Sequence, residues 1–197
     1  MHGLINRAIQ CFVRDTCGPD AWERLARVAE LPPSGFEAMF VYDDQITERM
    51  LDTAVLLLAK PRDVLLEDVG TYLVSNPNVE PLRRLLRFGG ETFLEFLQTV
   101  DDLPRRAQLA LPDLELPSIE VIGVEEDTFR IGCHWAHAGF GHVLVGMLRT
   151  LADDYGALVL LDHHGCEDQV ETVTVQVLRE GFAVGRPFQL ASEGRAS

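Results

Sequence analysis

The stretch SIEVIGVEEDTFRIGCHWAHAGF, residues 118–140, decides the fold class of this chain. Ser118–Val124 and Thr128–Cys133 are short runs rich in β-branched residues, a composition typical of strands. The acidic residues Glu125–Asp127 lie between the two runs and predict a turn. The stretch therefore predicts a β-hairpin, and it marks the point where helical periodicity gives way to a sheet.

The residues before this hairpin have the periodicity of helices. Apolar side chains recur at helical spacing from Leu4 to Val13, so an amphipathic helix begins close to the first residue. Gly18-Pro19 predicts that this helix ends and that a second one begins at once. Pro32–Gly35 is a connection. Further helices are predicted from Asp43-Asp44 to Lys60-Pro61 and over 62–75, 79–88 and 91–103.

The residues after the hairpin alternate between helix and strand. Phe140–Leu151 predicts a helix, whereas Leu158–Asp162 and Thr172–Val177 predict strands. This order of helices, hairpin, helix and hairpin indicates an α+β fold with an antiparallel sheet. We expect one domain over about residues 1–180 and a polar tail over 181–197, of which about the last ten residues are frayed.

Composition excludes several classes of function. The chain has 197 residues with 17 Lys+Arg against 31 Asp+Glu, a net charge of −14, which disfavours binding to nucleic acid. Its apolar runs are shorter than the roughly 20 residues that span a bilayer, and the N-terminus does not read as a signal peptide. The 4 cysteines include no CxxC pair. We therefore expect reduced thiols in a cytoplasmic protein that binds no membrane.

Several short motifs, taken together and in order, resemble one known family. They are Met1–Asn6, Gly18–Trp22, Tyr42–Asp44, Val69-Gly70, Phe96–Gln98, Leu116–Ser118 and Gly139-Phe140. This series is similar to the haem-nitric-oxide/oxygen-binding family, H-NOX or HNOB, the bacterial relatives of the sensor domain of soluble guanylate cyclase. The resemblance covers about residues 1–180. It implies a helical subdomain over about 1–60 that packs on a mixed helix and sheet subdomain over about 61–180.

The resemblance also implies a function in signal transduction rather than in catalysis. Members of the family are gas sensors that act on a partner protein, such as a histidine kinase or a cyclic-dinucleotide enzyme. No phosphate-binding glycine loop, nucleophile elbow or HExxH motif suggests an enzyme. The carboxylate pairs and triads of the chain adjoin helix ends or turns, where caps and solvated loops explain them.

Haem is the cofactor that the resemblance implies, yet both of its anchors are replaced. Pro104 stands at the position of the histidine that ligates iron, and no histidine lies between His2 and His134. Cys133, Trp135 and His137 stand at the positions of the Tyr-x-Ser-x-Arg motif that binds the propionates. The resemblance therefore implies that haem is absent here or is held in a different way.

Elementary chemistry supports the same expectation. Residues 133, 135 and 137 would alternate along an extended segment, so their side chains are expected to share one face. The imidazole of His137 cannot replace the five donors of a guanidinium, and the Trp135 indole is expected to fill part of the pocket. Pro104 predicts that the helix before it ends near Asp102-Leu103 and that a new helix starts with Pro104 in its first turn.

The resemblance places apolar residues around the rest of the pocket. Ile5, Leu73 and Val143 stand on the distal side, and Pro117 stands at the position of a proline that contacts haem. A haem bound here would meet no hydrogen-bond donor, so nitric oxide or carbon monoxide would be its ligands. Alternatively, the vacated cleft would bind an apolar small molecule. Pro117 also has a simpler interpretation as the corner between a helix and a strand.

Cysteine and histidine side chains allow a metal site, but packing explains them as well. Cys133 and His137 are candidate ligands for a transition metal, or substitutes for the missing haem ligand, while His134 faces the other side of the strand. A small buried cysteine beside a surface histidine is the favoured interpretation. His163–Cys166 is expected in a solvated turn, and His142 is expected as a lone structural histidine on a helix.

Three functions follow from the sequence. The first is a sensor or adaptor domain that works without the family's haem ligation, and the second is a haem sensor for nitric oxide or carbon monoxide with a different ligand. The third is a binding protein for an apolar small molecule.

Overall fold

The computed structural model describes residues 1–32, 34–77, 83, 86, 89–110 and 114–186. Most of the predicted helix over 79–88 lies outside the described residues, and the two positions described there, Arg83 and Leu86, are helical. The tail beyond residue 186 also lies outside them. Helices within these ranges are α1 (Gly3–Cys17), α2 (Pro19–Val28), α3 (Asp44–Leu58), α4 (Arg62–Ser75), α5 (Phe93–Leu97), α6 (Leu103–Ala110) and α7 (Phe140–Tyr155).

Local capping explains where the first helices begin and end. Gly18 has a φ of 92°, and Pro19 directly follows as the first residue of α2, so the predicted end and restart are confirmed. The Asp43 carboxylate accepts a hydrogen bond from the Gln45 N–H at 2.9 Å and caps α3. No helix in the described part of the chain is long and apolar enough to cross a membrane.

A four-stranded antiparallel sheet follows in the order β1-β2-β4-β3. Its strands are β1 (Ser118–Glu125), β2 (Thr128–His134), β3 (Leu158–Glu167) and β4 (Val170–Arg179). The hairpin predicted from residues 118–133 is therefore confirmed, as is the α+β class. The prediction that β3 ends at Asp162 is wrong, because the strand continues past an irregularity in its pairing with β4 between His163 and Cys166.

Two apolar clusters form the core. One lies among the first four helices, with Val13, Met50 and Ala54 fully buried. The other joins α5, α7 and the inner face of the sheet, where Phe96 and Ile131 are fully buried. Val143 on α7 packs against both clusters. Val143, which the resemblance places on the distal side of the pocket, therefore lies at the junction of the helical layer and the sheet.

Candidate functional site

Pro104 lies in the first turn of α6, and its ring has no atom that could ligate iron. The chain before it ends α5 at Leu97, makes one 3₁₀ turn over Val100–Asp102 and then starts α6 at Leu103. The break predicted at Pro104 is therefore present. Leu97 and Val100 are fully buried, and Leu103 is 7% exposed. This face of the broken helix is apolar and packed, and it carries no donor for a metal.

Of the three positions that the resemblance assigns to the propionate motif, the first lies in a strand and the other two do not, so the extended segment expected over all three is interrupted. Strand β2 ends at His134, and the chain bends at Ala136 and His137 before α7 begins. Alternation along a strand stops where the strand stops. Cys133 points into the core, where it is 2% exposed. Trp135 and His137 leave the sheet in the bend.

The Trp135 ring makes edge-to-face contacts with two neighbouring rings. It lies 4.9 Å from that of His137 and 5.8 Å from that of Phe140, both close to perpendicular. The His137 Nε2 lies 3.8 Å from a carboxylate oxygen of Asp44 at the start of α3. The His137 imidazole lowers the pKa of the Asp44 carboxyl, after the larger effect of a hydrogen bond from the ammonium group of Met1. The residue that the resemblance assigns to the motif arginine therefore faces an anionic group of the protein itself.

A second carboxylate, that of Glu171, lies beside Cys133. The two residues are direct partners in the register of β2 and β4, so their side chains share the inner face of the sheet. Glu171 is 6% exposed. Its Oε1 accepts a hydrogen bond from the Gly139 N–H at 2.5 Å, and its Oε2 accepts one from the Gly141 N–H at 3.0 Å. The carboxylate thus caps the N-terminus of α7, where the helix dipole favours an anion.

The fit around Glu171 depends on two glycines. Gly139 has a φ of 106°, a conformation that other residues adopt only with strain. A Cβ at Gly141 would lie 2.5 Å from His163 Nε2 and 2.7 Å from Glu171 Oε2. The turn from β2 into α7 is therefore shaped around this carboxylate.

Burial keeps the Cys133 thiol neutral. Desolvation, with a smaller contribution from the Glu171 charge, raises the pKa of Cys133 to about 12. Metals bind the thiolate and not the thiol. Cys133 and His137 have different surroundings, and the described residues contain no group of three or more His, Cys, Asp or Glu side chains that could hold a metal ion.

A pair of histidines in ring contact is not apparent from the sequence. The rings of His142 on α7 and His163 on β3 lie 3.9 Å apart, and the His163 Nε2 lies 3.0 Å from Glu171 Oε2. The expectation of a lone His142 is wrong, and so is that of a turn over His163–Cys166. His163 lies in a strand, and the turn follows at residues 168 and 169.

Two of the apolar residues assigned to the distal side, Leu73 and Val143, belong to α4 and α7, which are in close contact. Ile5, Leu73 and Val143 are half-buried and pack against the helical core cluster. A Cβ added at Gly70 would lie 2.0 Å from the Val143 carbonyl oxygen, so the backbones of α4 and α7 touch here. Pro117 is buried and directly precedes β1.

These residues do not fit haem in the way that the family resemblance implies. The position that the resemblance assigns to the iron ligand holds a proline. The position it assigns to the motif tyrosine holds a neutral thiol beside Glu171, and the one it assigns to the motif arginine holds an imidazole beside Asp44. A propionate brought to this end of the site would meet anionic side chains, and like charges at short range disfavour each other.

Comparison with known proteins identifies relatives of the chain. The family model described as haem-NO-binding matches residues 2–163. "Soluble guanylate cyclase 89Da" of Drosophila melanogaster is 18% identical over 158 residues, which are 80% of this chain and 24% of that protein. "Soluble guanylate cyclase gcy-31" of Caenorhabditis elegans is 21% identical over 154 residues, 78% of this chain and 22% of that protein. The chain thus spans about a quarter of the length of these relatives.

Solved structures share the fold. An Fe(II) unliganded H-NOX protein from K. algicida has a TM-score of 0.76 at 14% identity, covering 91% of this chain and 98% of that one. An H-NOX protein from S. oneidensis in the Fe(II)NO state has a TM-score of 0.75 at 14% identity, covering 91% of this chain and 100% of that one. At this level of identity, the likeness concerns the fold.

Proposed function

Because this chain belongs to the haem-NO-binding family, we propose that it is a sensor or adaptor domain that works without haem ligated in the family's way and that acts by binding a partner protein. The partner is a signalling protein of the kind that members of the family act on, a histidine kinase or a cyclic-dinucleotide enzyme. The four cysteines are free, which favours a reducing compartment such as the bacterial cytoplasm.

The observation that carries the proposal is the position of Glu171. This buried carboxylate lies beside Cys133 on the neighbouring strand and accepts hydrogen bonds from the N–H groups at the start of α7. An anionic group in this place satisfies the helix terminus from within the protein. This supports a domain in which the Glu171 side chain, and not a bound haem, joins α7 to the sheet. Pro104, in turn, supplies no ligand for iron.

The two other functions have less support. A haem sensor with a substitute ligand would need Cys133 or His137, but burial disfavours the Cys133 thiolate and His137 lies against Trp135. A cleft for an apolar molecule between Leu73 and Val143 would have to open the backbone contact of α4 and α7 at Gly70. Neither is favoured by an observation on the described residues.

Restoring the family's residues tests the proposal. A first variant carries Pro104→His, Cys133→Tyr, Trp135→Ser and His137→Arg, and a second adds Glu171→Gln. Each protein is titrated with haem, and the Soret band is followed together with the far-UV circular dichroism. We expect no saturable band for the wild type, a band for the first variant, and a stronger one for the second.

The two variants also separate the parts of the argument. A wild-type protein that binds haem as tightly as either variant would contradict the proposal. A folded second variant that binds no more haem than the wild type would show that these positions do not control haem binding. The matched control is Glu120→Gln, an exposed acid on β1, which should leave haem binding by the first variant unchanged.

A further inference from the structure

Three consecutive large apolar residues lie exposed in the connection between α2 and α3. Met39 is 67% exposed, Phe40 is 61% exposed and Val41 is 78% exposed. Scattered apolar side chains are normal on a protein surface, whereas contiguous ones mark binding surfaces. Aromatic residues and methionine are also enriched in the centres of protein interfaces. We call residues 39–41 the apolar loop.

Backbone hydrogen bonds hold the apolar loop in one conformation. The Gly3 N–H donates to the Phe40 carbonyl at 2.7 Å, and the Tyr42 N–H donates to the Met1 carbonyl at 2.9 Å. An isolated antiparallel bridge joins His2 and Val41. The apolar loop is therefore fixed to the start of α1 at Phe40, at Val41 and at the residue after it, Tyr42.

A turn before the apolar loop adds to this fixation. The Glu37 N–H donates to the Tyr42 hydroxyl at 2.8 Å, and the Phe40 N–H donates to the Glu37 carbonyl at 3.3 Å. A Cβ at Gly3 would lie 2.0 Å from that Glu37 carbonyl, so the loop rests directly on the helix. A preorganised surface loses little conformational entropy when a partner binds.

The charges beside the apolar loop determine what can bind it. Exposed acids flank it on both sides, Glu37 before it and Asp43 and Asp44 after it. The Asp44 carboxylate pairs with the Met1 ammonium at 2.5 Å, so the negative charge that faces a partner comes mainly from Glu37 and Asp43. The whole chain carries a net charge of −14. A second copy of the chain and an anionic lipid surface would both be repelled, whereas a basic partner would be attracted. Apolar side chains ringed by acids are complementary to an apolar stripe ringed by Lys and Arg.

We propose that the apolar loop is the docking surface for a basic amphipathic segment of the partner protein. Phe40 and its two neighbours contact the apolar stripe of that segment, and the flanking acids contact its basic side chains. The inference rests on the proposed function only in that the domain acts through a partner protein. It does not depend on whether haem binds.

Binding of a defined probe tests this surface. The probe is a fluorescein-labelled helical peptide of Leu and Lys, about 18 residues or five turns long, and its counterpart replaces Lys with Glu. Fluorescence anisotropy gives the dissociation constant for the full chain, for Phe40→Ser/Val41→Ser and for Leu56→Ser. Leu56 is 79% exposed and lies twelve residues after Asp44 in α3, about 18 Å further along the helix.

We expect the basic peptide to bind the wild type and to bind the loop variant at least about tenfold more weakly. Leu56→Ser should change the dissociation constant less than about twofold, and the acidic peptide should not bind. Equal binding by the wild type and the loop variant would overturn the inference, as would an equal loss in Leu56→Ser. If the wild type dimerises and the loop variant does not, the apolar loop binds a second copy of the chain, and the inference is overturned. If the wild type floats with anionic vesicles and the loop variant does not, the loop binds a membrane, which overturns the inference as well. The haem titration is independent of all these results.

Discussion

Truncating Glu171 should weaken the joint between the sheet and α7. Its carboxylate accepts hydrogen bonds from the Gly139 and Gly141 N–H groups at 2.5 and 3.0 Å, and the latter bond is buried. A hydrogen bond to a charged group contributes about 1.5–3 kcal/mol, and a buried donor left without a partner costs about 1–3 kcal/mol. Since these terms overlap, we expect Glu171→Ala to lower the free energy of unfolding by about 3–5 kcal/mol.

A conservative variant of Glu171 separates the contribution of its charge to stability from that of its hydrogen-bonding shape. Glu171→Gln keeps one acceptor oxygen and loses the charge, so we expect a loss of about 1–2 kcal/mol. Glu120→Gln is the matched control, because Glu120 is exposed and pairs with His134 at 2.6 Å, and surface pairs contribute about 0–1 kcal/mol.

The assay is urea unfolding followed by circular dichroism at constant salt. The slope of the unfolding free energy with urea should be the same for all variants, so that differences in midpoint report stability. If Glu171→Ala unfolds at the same urea concentration as Glu120→Gln, the carboxylate does not join α7 to the sheet and the account of this site is wrong.

Two further predictions concern packing and thiol chemistry. Gly70→Ala should lower the free energy of unfolding by about 1–3 kcal/mol, because its Cβ would lie 2.0 Å from the Val143 carbonyl oxygen. Gly123→Ala is the control, because the nearest atom to its Cβ would lie at 3.8 Å and no such clash is expected. Urea unfolding of both variants checks this prediction. Burial raises the pKa of Cys133 to about 12, so an alkylating reagent at neutral pH should modify the exposed Cys17 and leave Cys133 unmodified. Peptide mass spectrometry measures the labelling of each cysteine. Equal labelling of the two would contradict the buried position of Cys133.

The features that the sequence predicted correctly are local ones. The end of α1 at Gly18, the restart of a helix beside Pro104 and the hairpin from Ser118 all follow from a few adjacent residues with strong backbone preferences. Short-range rules suffice where the backbone conformation is decided within one turn of chain. The order of elements that defines the α+β class was therefore accessible.

The features that the sequence did not predict depend on distant contacts. Glu171 reaches Gly139 and Gly141 across about 30 residues, and nothing in its own neighbourhood distinguishes it from a surface acid on a strand. The contact between the His142 and His163 rings requires β3 to continue beyond Asp162. Strand ends are set by pairing partners more than by local propensity, which also explains why alternation was extended wrongly past His134.

The haem content of the purified wild-type chain tests the central claim most directly. The protein is expressed with haem supplied and passed through gel filtration, and its absorbance spectrum is compared with the protein concentration. The account predicts far less than one haem per chain, because Pro104 offers no ligand and the Glu171 carboxylate lies beside Cys133 on the neighbouring strand. A strong Soret band that stays with the protein at one haem per chain would contradict it.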